Sequence, residues 1–307
     1  FKFYSEFANL RSLSDFVLEY FPEWTVASAW LADLNLEGKL SKVCGYVDKE
    51  SGTGMHGVFK ELRTNSHKGI PQAANLAGSV YLYPNGFLFE LDSSGVRVRF
   101  PNVFEHLWYS EKLSGELFSW FDRDYFSLVN RNIQSVFREM EVGGSFSLSR
   151  PLSEENRSLS LFFEAQDLNL NDRHQYVPKV LPLELMEWLE DDSLAGDLSN
   201  LHFAYHGQIK HADYLNSRRI ELKGEYEDLR VKYLDGWPLV NEAKGNVHLR
   251  GAETSISVLE GSTLGMQEFS GVLTIDNVGT TLFADVDFTS GDNGIISFIL
   301  NSPLKEE

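Results

Sequence analysis

The chain has 307 residues, of which 42% are hydrophobic, and a formal net charge of −18. It is long enough for two compact domains or one extended architecture with a buried core, and its dispersed acidity excludes a nucleic-acid surface, which needs a basic stripe. The single cysteine, Cys44, rules out an internal disulfide and leaves the redox compartment open, and no window approaches the ~18 apolar residues of a membrane-spanning helix.

Phe1 opens directly into an amphipathic segment, with no starting Met and no signal peptide, so the chain reads as a piece of a longer protein. Phe3, Phe7, Leu10, Leu13, Phe16, Val17 and Tyr20 recur at threes and fours and predict a helix over 1–21, mainly 5–20, ended by Phe21-Pro22. From Trp24 the period falls to two and predicts a strand through Leu36, closed by Gly38.

Gly52-Thr53-Gly54-Met55-His56-Gly57 matches G-x-G-x-x-G, but a polar stretch precedes it and strand-like residues follow. A dinucleotide site needs the strand before and the helix after, so these residues read as a loop. Val80–Tyr83 and Phe87–Leu91 flank Pro84-Asn85-Gly86, a strong turn signal. Val96, Val98 and Phe100 alternate with Arg97 and Arg99, which suits a strand with one wet face. Leu113–Trp120, Tyr125–Val129, Ile133–Met140, Phe146–Leu148 and Leu159–Ala165 continue the series.

Between them and the next strands lies a helix near 182–192. Pro182 suits its first turn, Leu185, Met186, Trp188 and Leu189 form an apolar stripe, and Gly196 offers a stop. Strands resume at Leu201–Tyr205, Leu222–Tyr226, Leu229–Tyr233, Asn246–Arg250, Ser255–Leu259, Gln267–Ile275, Thr281–Phe288 and Ile295–Leu300. Roughly eighteen strands at this spacing predict a mainly β protein. Short loops make neighbours sequential antiparallel partners. The best break, RPLSEEN at Arg150–Asn156, separates 1–150 from 151–307 within one continuous architecture. An open sheet of this length spans roughly 85 Å at ~4.8 Å per strand. It must curl, close or be covered; left open and curled, with one apolar face, it would be a long, strongly curved trough with an oily lining, an open hydrophobic groove. An ordinary β-sandwich core satisfies the same periodicity.

Conventional reaction chemistry finds little support. His202 and His206 share a strand face but lie ~13 Å apart, too far for one zinc. With His211 and Asp213 they read as a solvated face. Glu187, Glu190, Asp191 and Asp192 read as the wet side of the helix rather than a catalytic pair, which needs carboxyls facing each other across a substrate. Cys44 has no nearby His pattern, and Asn156-Arg157-Ser158 is a glycosylation sequon only in a secreted eukaryotic protein. The chain reads as a non-enzyme with no metal and no cofactor.

Residues 174–275 carry a more specific pattern. Tyr176 and Pro178 precede LPLELMEWLEDDSLAGDL, followed by LHFAYHGQI, LKGEYEDLRVKYLDGWPLV, NEAKGNVHLRG and LEGSTLGMQEFSGVLTIDNVG. This order resembles the AsmA-like YhdP family of Gram-negative bacteria, most specifically at Tyr233-Leu234-Asp235-Gly236-Trp237-Pro238-Leu239. LADLNLEGKL, GVFKELRTNS, PQAANLAGSV, RFPNVFEHLW, LSGELFSWF, LVNRNIQSVF and GGSFSLSRP extend it loosely over about 20–300, as a central fragment. It departs at Lys210–Ser217, where the family usually carries FP followed by Phe or Tyr.

The resemblance implies a periplasmic repeating β-groove, its parent held in the inner membrane by a helix outside this chain. It implies intermembrane phospholipid transport along the groove, envelope protein partners, and no nucleic acid. A two-chain lipid has about thirty CH₂ groups, so leaving them in water costs ~25 kcal/mol, a barrier that an apolar trough removes. The alternatives are a structural or scaffold module of the envelope whose apolar face is a closed core, and a metal-dependent or carbohydrate-active enzyme using the histidines.

The expected lining is Phe87, Phe89, Val96 and Val98, then Leu161 and Phe163, then Leu201, Phe203, Leu229 and Val231, and finally Val247, Leu249, Val286 and Phe288. The helix caps the groove through Leu185, Trp188 and Leu189.

Overall fold

A computed structural model of the chain describes residues 1–12, 15, 33–48, 52–67, 70–122, 124–138, 140–151, 157–179, 183–209, 218–232, 236–264, 266–276, 281–290 and 293–306. Among these, sixteen strands follow one another in a single open sheet. They are β1 (Lys2–Asn9), β2 (Glu37–Asp48), β3 (Gly52–Thr64), β4 (Gln72–Tyr83), β5 (Gly86–Arg99), β6 (Trp108–Phe121), β7 (Tyr125–Phe137), β8 (Met140–Pro151) and β9 (Arg157–Ala165). After the two-residue β10 (Leu168–Asn169), a 3₁₀ turn (Leu170–Gln175) and α1 (Leu183–Glu190) come β11 (Ala195–Ile209) and β12 (Arg219–Val231). β13 (Val240–Arg250), β14 (Glu253–Thr263), β15 (Met266–Asp276), β16 (Thr281–Ser290) and α2 (Gly294–Leu300) complete it.

Hydrogen-bonded order equals chain order, except that β10 pairs β11 beside the β9–β11 contact, and β1 and β16 are the edges. The fold is therefore mainly β and antiparallel, and the sheet is not closed into a barrel. Edge strands invite unwanted pairing, and β16 carries exposed Asp285 and Asp287.

Two compact units divide the chain. The first holds 1–161, with 178–180 and 207–209; the second holds 162–177, 181–206 and 218–307. The first has a core of Leu40, Val43, Phe59, Leu62 and Val80, against which Phe3, Leu76, Leu82 and Phe89 pack. Burying each such side chain contributes about 1.5–3 kcal/mol. The second is centred on Tyr226, Val240 and Ala243, with Leu198, Leu229 and Phe269 packed around them.

One device recurs in both units. Lys42, Glu61, Asn132, Asn200, Asp228 and Glu242 all have left-handed backbone, with φ between 49° and 54°. Each lies at a register shift where two residues of one strand oppose one of its neighbour. These are β-bulges, which bend the strand and reverse its side-chain parity. Each is followed by an apolar residue: Val43, Leu62, Ile133, Leu201, Leu229 and Ala243. The opposing strand must come close. A Cβ on Gly115 (φ 141°) would lie 2.9 Å from both Asn132 O and Ile133 Cα, so only glycine fits there.

Several expectations change. Residues 2–9 form edge strand β1, not the start of the 5–20 helix; helical backbone begins only at Leu10. The 3.6-residue spacing of Phe3, Phe7 and Leu10 is outweighed by pairing with β2, with Phe3 opposite Gly45 and Phe7 opposite Ser41. Most of the Trp24–Leu36 strand lies outside the described residues. Gly52–Gly57 opens β3 instead of forming a loop, and no helix follows it. Ile295–Leu300 is helical within α2, because a short apolar run carries no period that tells strand from helix. Tyr125–Val129 and most of Ile133–Met140 join as β7, since Asn130-Arg131-Asn132 is a bulge and not a turn. Phe87–Leu91 and Val96–Arg99 likewise join as β5.

Candidate functional site

Residues directly opposite across an antiparallel pair share a face, so the registers trace each face of each unit. In the first unit one row runs Phe3, Gly45, Met55, Leu82, Phe87, Ser119, Leu128, Leu148. The next runs Gly57, Val80, Phe89, Leu117, Asn130, Phe146. A third carries Leu40, Phe59, Gly78, Leu91 and Gly115. Together they make one apolar face. Its polar intruders are small or satisfied: the Asn130 amide donates to Glu116 O at 3.0 Å and Arg131 O at 3.3 Å.

The second unit has the same organisation. Phe203, Leu222, Leu249, Thr254 and Ile275 form one row, and Gly224, Val247, Ile256, Leu273 and Ala284 the next. Leu198, Tyr226, Gly245, Val258, Gly271 and Val286 form the third. Tyr226 lies across Gly245, whose Cβ would fall 2.6 Å from the Tyr226 hydroxyl, and donates to Ser257 O at 3.0 Å. Burial pushes this hydroxyl up to about 12.

Phe87 and Phe89 share the first unit's apolar face, and Val96, just past Gly95 (φ 64°), is fully buried. Val98 pairs with Ala73 and Trp108. Phe162 stacks on His202 at 6.1 Å, so alternation turns Leu161 and Phe163 to the opposite side of β9. Leu201, Phe203, Leu229, Val231, Val247, Leu249 and Val286 share the second unit's apolar face; the bulge at Asp228 puts odd-numbered Leu229 and Val231 there beside even-numbered Leu222 and Tyr226. Phe288 pairs with Phe269, and its side chain lies outside the described residues.

The outer faces differ. In the second unit His202, Lys223, His248 and Ser255 form a polar row. Glu221 accepts from Lys223 Nζ and contacts His248 Nε2, each at 2.9 Å, and those partners hold its carboxyl below the usual range. The first unit departs from the expected wet face: Tyr4, Phe118 and Trp120 lie on it and are 69%, 43% and 40% exposed. With Tyr83, Pro84, Asn85 and Gly86, Phe118 and Trp120 line a shallow open hollow. His56 lies across the strand pair from Cys44, its Nδ1 4.0 Å from Sγ, a neighbour hidden by a separation of twelve residues. Among the described residues no three His, Cys, Asp or Glu side chains converge as a metal site; His211 and Asp213 lie outside them.

The helix is held differently from expectation. Arg173, in the preceding 3₁₀ turn, donates to the carbonyls of Leu170 (2.9 Å), Leu189, Asp191 (2.9 Å) and Leu194 (3.1 Å). A cation satisfying the last carbonyls is a favourable C-terminal cap, so Gly196 is not the stop: it lies in β11 opposite the Asp228 bulge. Ser193 hydrogen bonds hold the Asp191 carboxyl below its ordinary range. Trp188 is 40% exposed and donates through Nε1 to Lys232 O at 3.1 Å, fixing α1 at the end of β12. Leu189 is half-buried, and the Leu185 side chain lies outside the described residues. No described helix is long and apolar enough to cross a membrane.

A model of one protein family, described as YhdP protein, matches residues 1–307, the entire chain. No curated protein and no solved structure matches it.

Proposed function

This chain belongs to the YhdP family, and from that premise we propose that it is a periplasmic segment of a conduit carrying phospholipid between the inner and outer membranes. The observation that carries the reading is the single apolar face in each unit, eight residues wide from Phe3 to Leu148 in its longest traced row. Acyl chains partition onto such a face while the headgroup stays in water, at ~0.8 kcal/mol for each CH₂ removed from solvent. Neighbouring rows are alike in chemistry, so a lipid meets no deep well and moves in small steps. No bond is made or broken, and the function needs neither a catalytic residue nor a cofactor.

A second reading, a scaffold module with a closed core, is favoured by the full burial of Leu40, Val43 and Phe59. The two separate on Phe203→Asp, which puts a charge among half-buried rows. Under lipid conduction, arrival of pulse-labelled phospholipid in the outer membrane falls while the protein level holds. Under the scaffold reading, transport is unchanged.

A further inference from the structure

The two apolar faces share a division that the family match does not describe. In the first unit the buried apolar side chains, among them Leu40, Val43, Phe59, Leu62, Val80 and Val96, lie on the Val80–Phe146 row or on the bulged side of it. On its other side Phe3, Met55, Leu82, Phe87, Leu128 and Leu148 are all half-buried, none of them sealed. The second unit repeats this independently. Tyr226, Val240, Ala243, Val258 and Met266 are buried and lie on the Tyr226–Val286 row or on its bulged side, Val286 itself standing on the edge strand and 37% exposed. The two rows beyond, with Phe203, Leu222, Val247, Leu249, Leu273 and Ile275, remain half-open.

Resting on the lipid-conduit reading, we propose that each face is half core and half binding strip. Acyl chains of a two-chain phospholipid lie only on the half-open rows, and the bulged half is permanent packing that holds the strip in shape. The physical basis is that a group already out of water gains nothing by meeting an acyl chain, whereas each half-open side chain has apolar surface left to bury. The Tyr226 ring, spread over Gly245 and tied to Ser257 O, closes the sealed half of the second unit. Of the expected lining residues, Phe87, Phe203, Val247 and Leu249 then touch lipid, while the sealed Val96 does not.

The test is photo-cross-linking in intact cells, with a benzophenone amino acid at Leu82 or Leu249 on the strip and at Phe59 or Tyr226 in the core, reading covalently captured phospholipid by mass spectrometry. Capture confined to Leu82 and Leu249 is expected. Equal or greater capture at Phe59 and Tyr226 overturns the division but leaves lipid conduction standing; capture at none of the four overturns both. Because a bulky probe at a core site can unfold the protein, a milder pair covers that outcome. In a Cys44→Ser background, Val80→Cys should react with a maleimide at least about tenfold more slowly than Leu82→Cys, since it needs local opening. Phospholipid should protect Leu82→Cys alone. Equal rates, or protection of Val80→Cys, overturn the division.

Discussion

Replacing Gly115 by Ala tests whether the bulges set the geometry of the apolar face. At φ 141° an L-residue is strained by about 1–3 kcal/mol. The added Cβ would sit 2.9 Å from Asn132 O and Ile133 Cα and 3.1 Å from Ile133 Cγ1. The first two contacts are backbone atoms that cannot swing away, so overpacking adds about 1–3 kcal/mol. The expected loss is therefore about 2–6 kcal/mol, and β6 and β7 must part locally to relieve it. Urea unfolding followed by circular dichroism measures it. The mirror change, Asn132→Gly, relieves a left-handed residue at some entropic cost and should stay within about 1 kcal/mol of the parent. A loss under about 1 kcal/mol for Gly115→Ala, or equal losses for both, would refute the assignment of Gly115 as the required close approach.

Two further outcomes follow from side chains that sequence reading did not single out. The Tyr226 hydroxyl titrates near 12 in the fold against about 10 in an unfolded chain. The native state therefore holds the proton longer, and this stabilisation is complete below pH 10 and lost as pH rises through 12. Tyr226→Phe should be less stable at neutral pH by about 1 kcal/mol for the lost hydrogen bond, and alkaline melts should show a smaller fall between pH 10 and 12; an unchanged fall would contradict the argument. Arg173→Gln should strip the carbonyls of Leu189, Asp191 and Leu194 of their shared donor and raise hydrogen exchange in α1 well before global unfolding. Unaltered exchange there would show that other contacts hold the helix.

The sheet and its face were legible in the sequence because alternation records burial directly, and Phe87, Phe89 and Phe203 could be assigned to it by period alone. Bulges were not, because they look like turns. Asn130-Arg131-Asn132 has turn composition, yet the strand continues through it. The readable trace is a polar residue followed at once by an aliphatic one, as in Glu61-Leu62, Asn132-Ile133 and Asp228-Leu229, where parity changes without a break. Tyr226 read as one more aromatic in an alternating run, since its role depends on Gly245 in the neighbouring strand. Arg173 was silent for a similar reason: its acceptors lie up to 21 residues away, and backbone carbonyls carry no sequence signal.

Native mass spectrometry of the gently purified protein, beside the Phe203→Asp variant, shows whether the apolar faces carry phospholipid. Bound species with the mass of two-chain phospholipids are expected, reduced in the folded fraction of the variant. A lipid-free protein under conditions that preserve known lipid carriers would contradict phospholipid carriage.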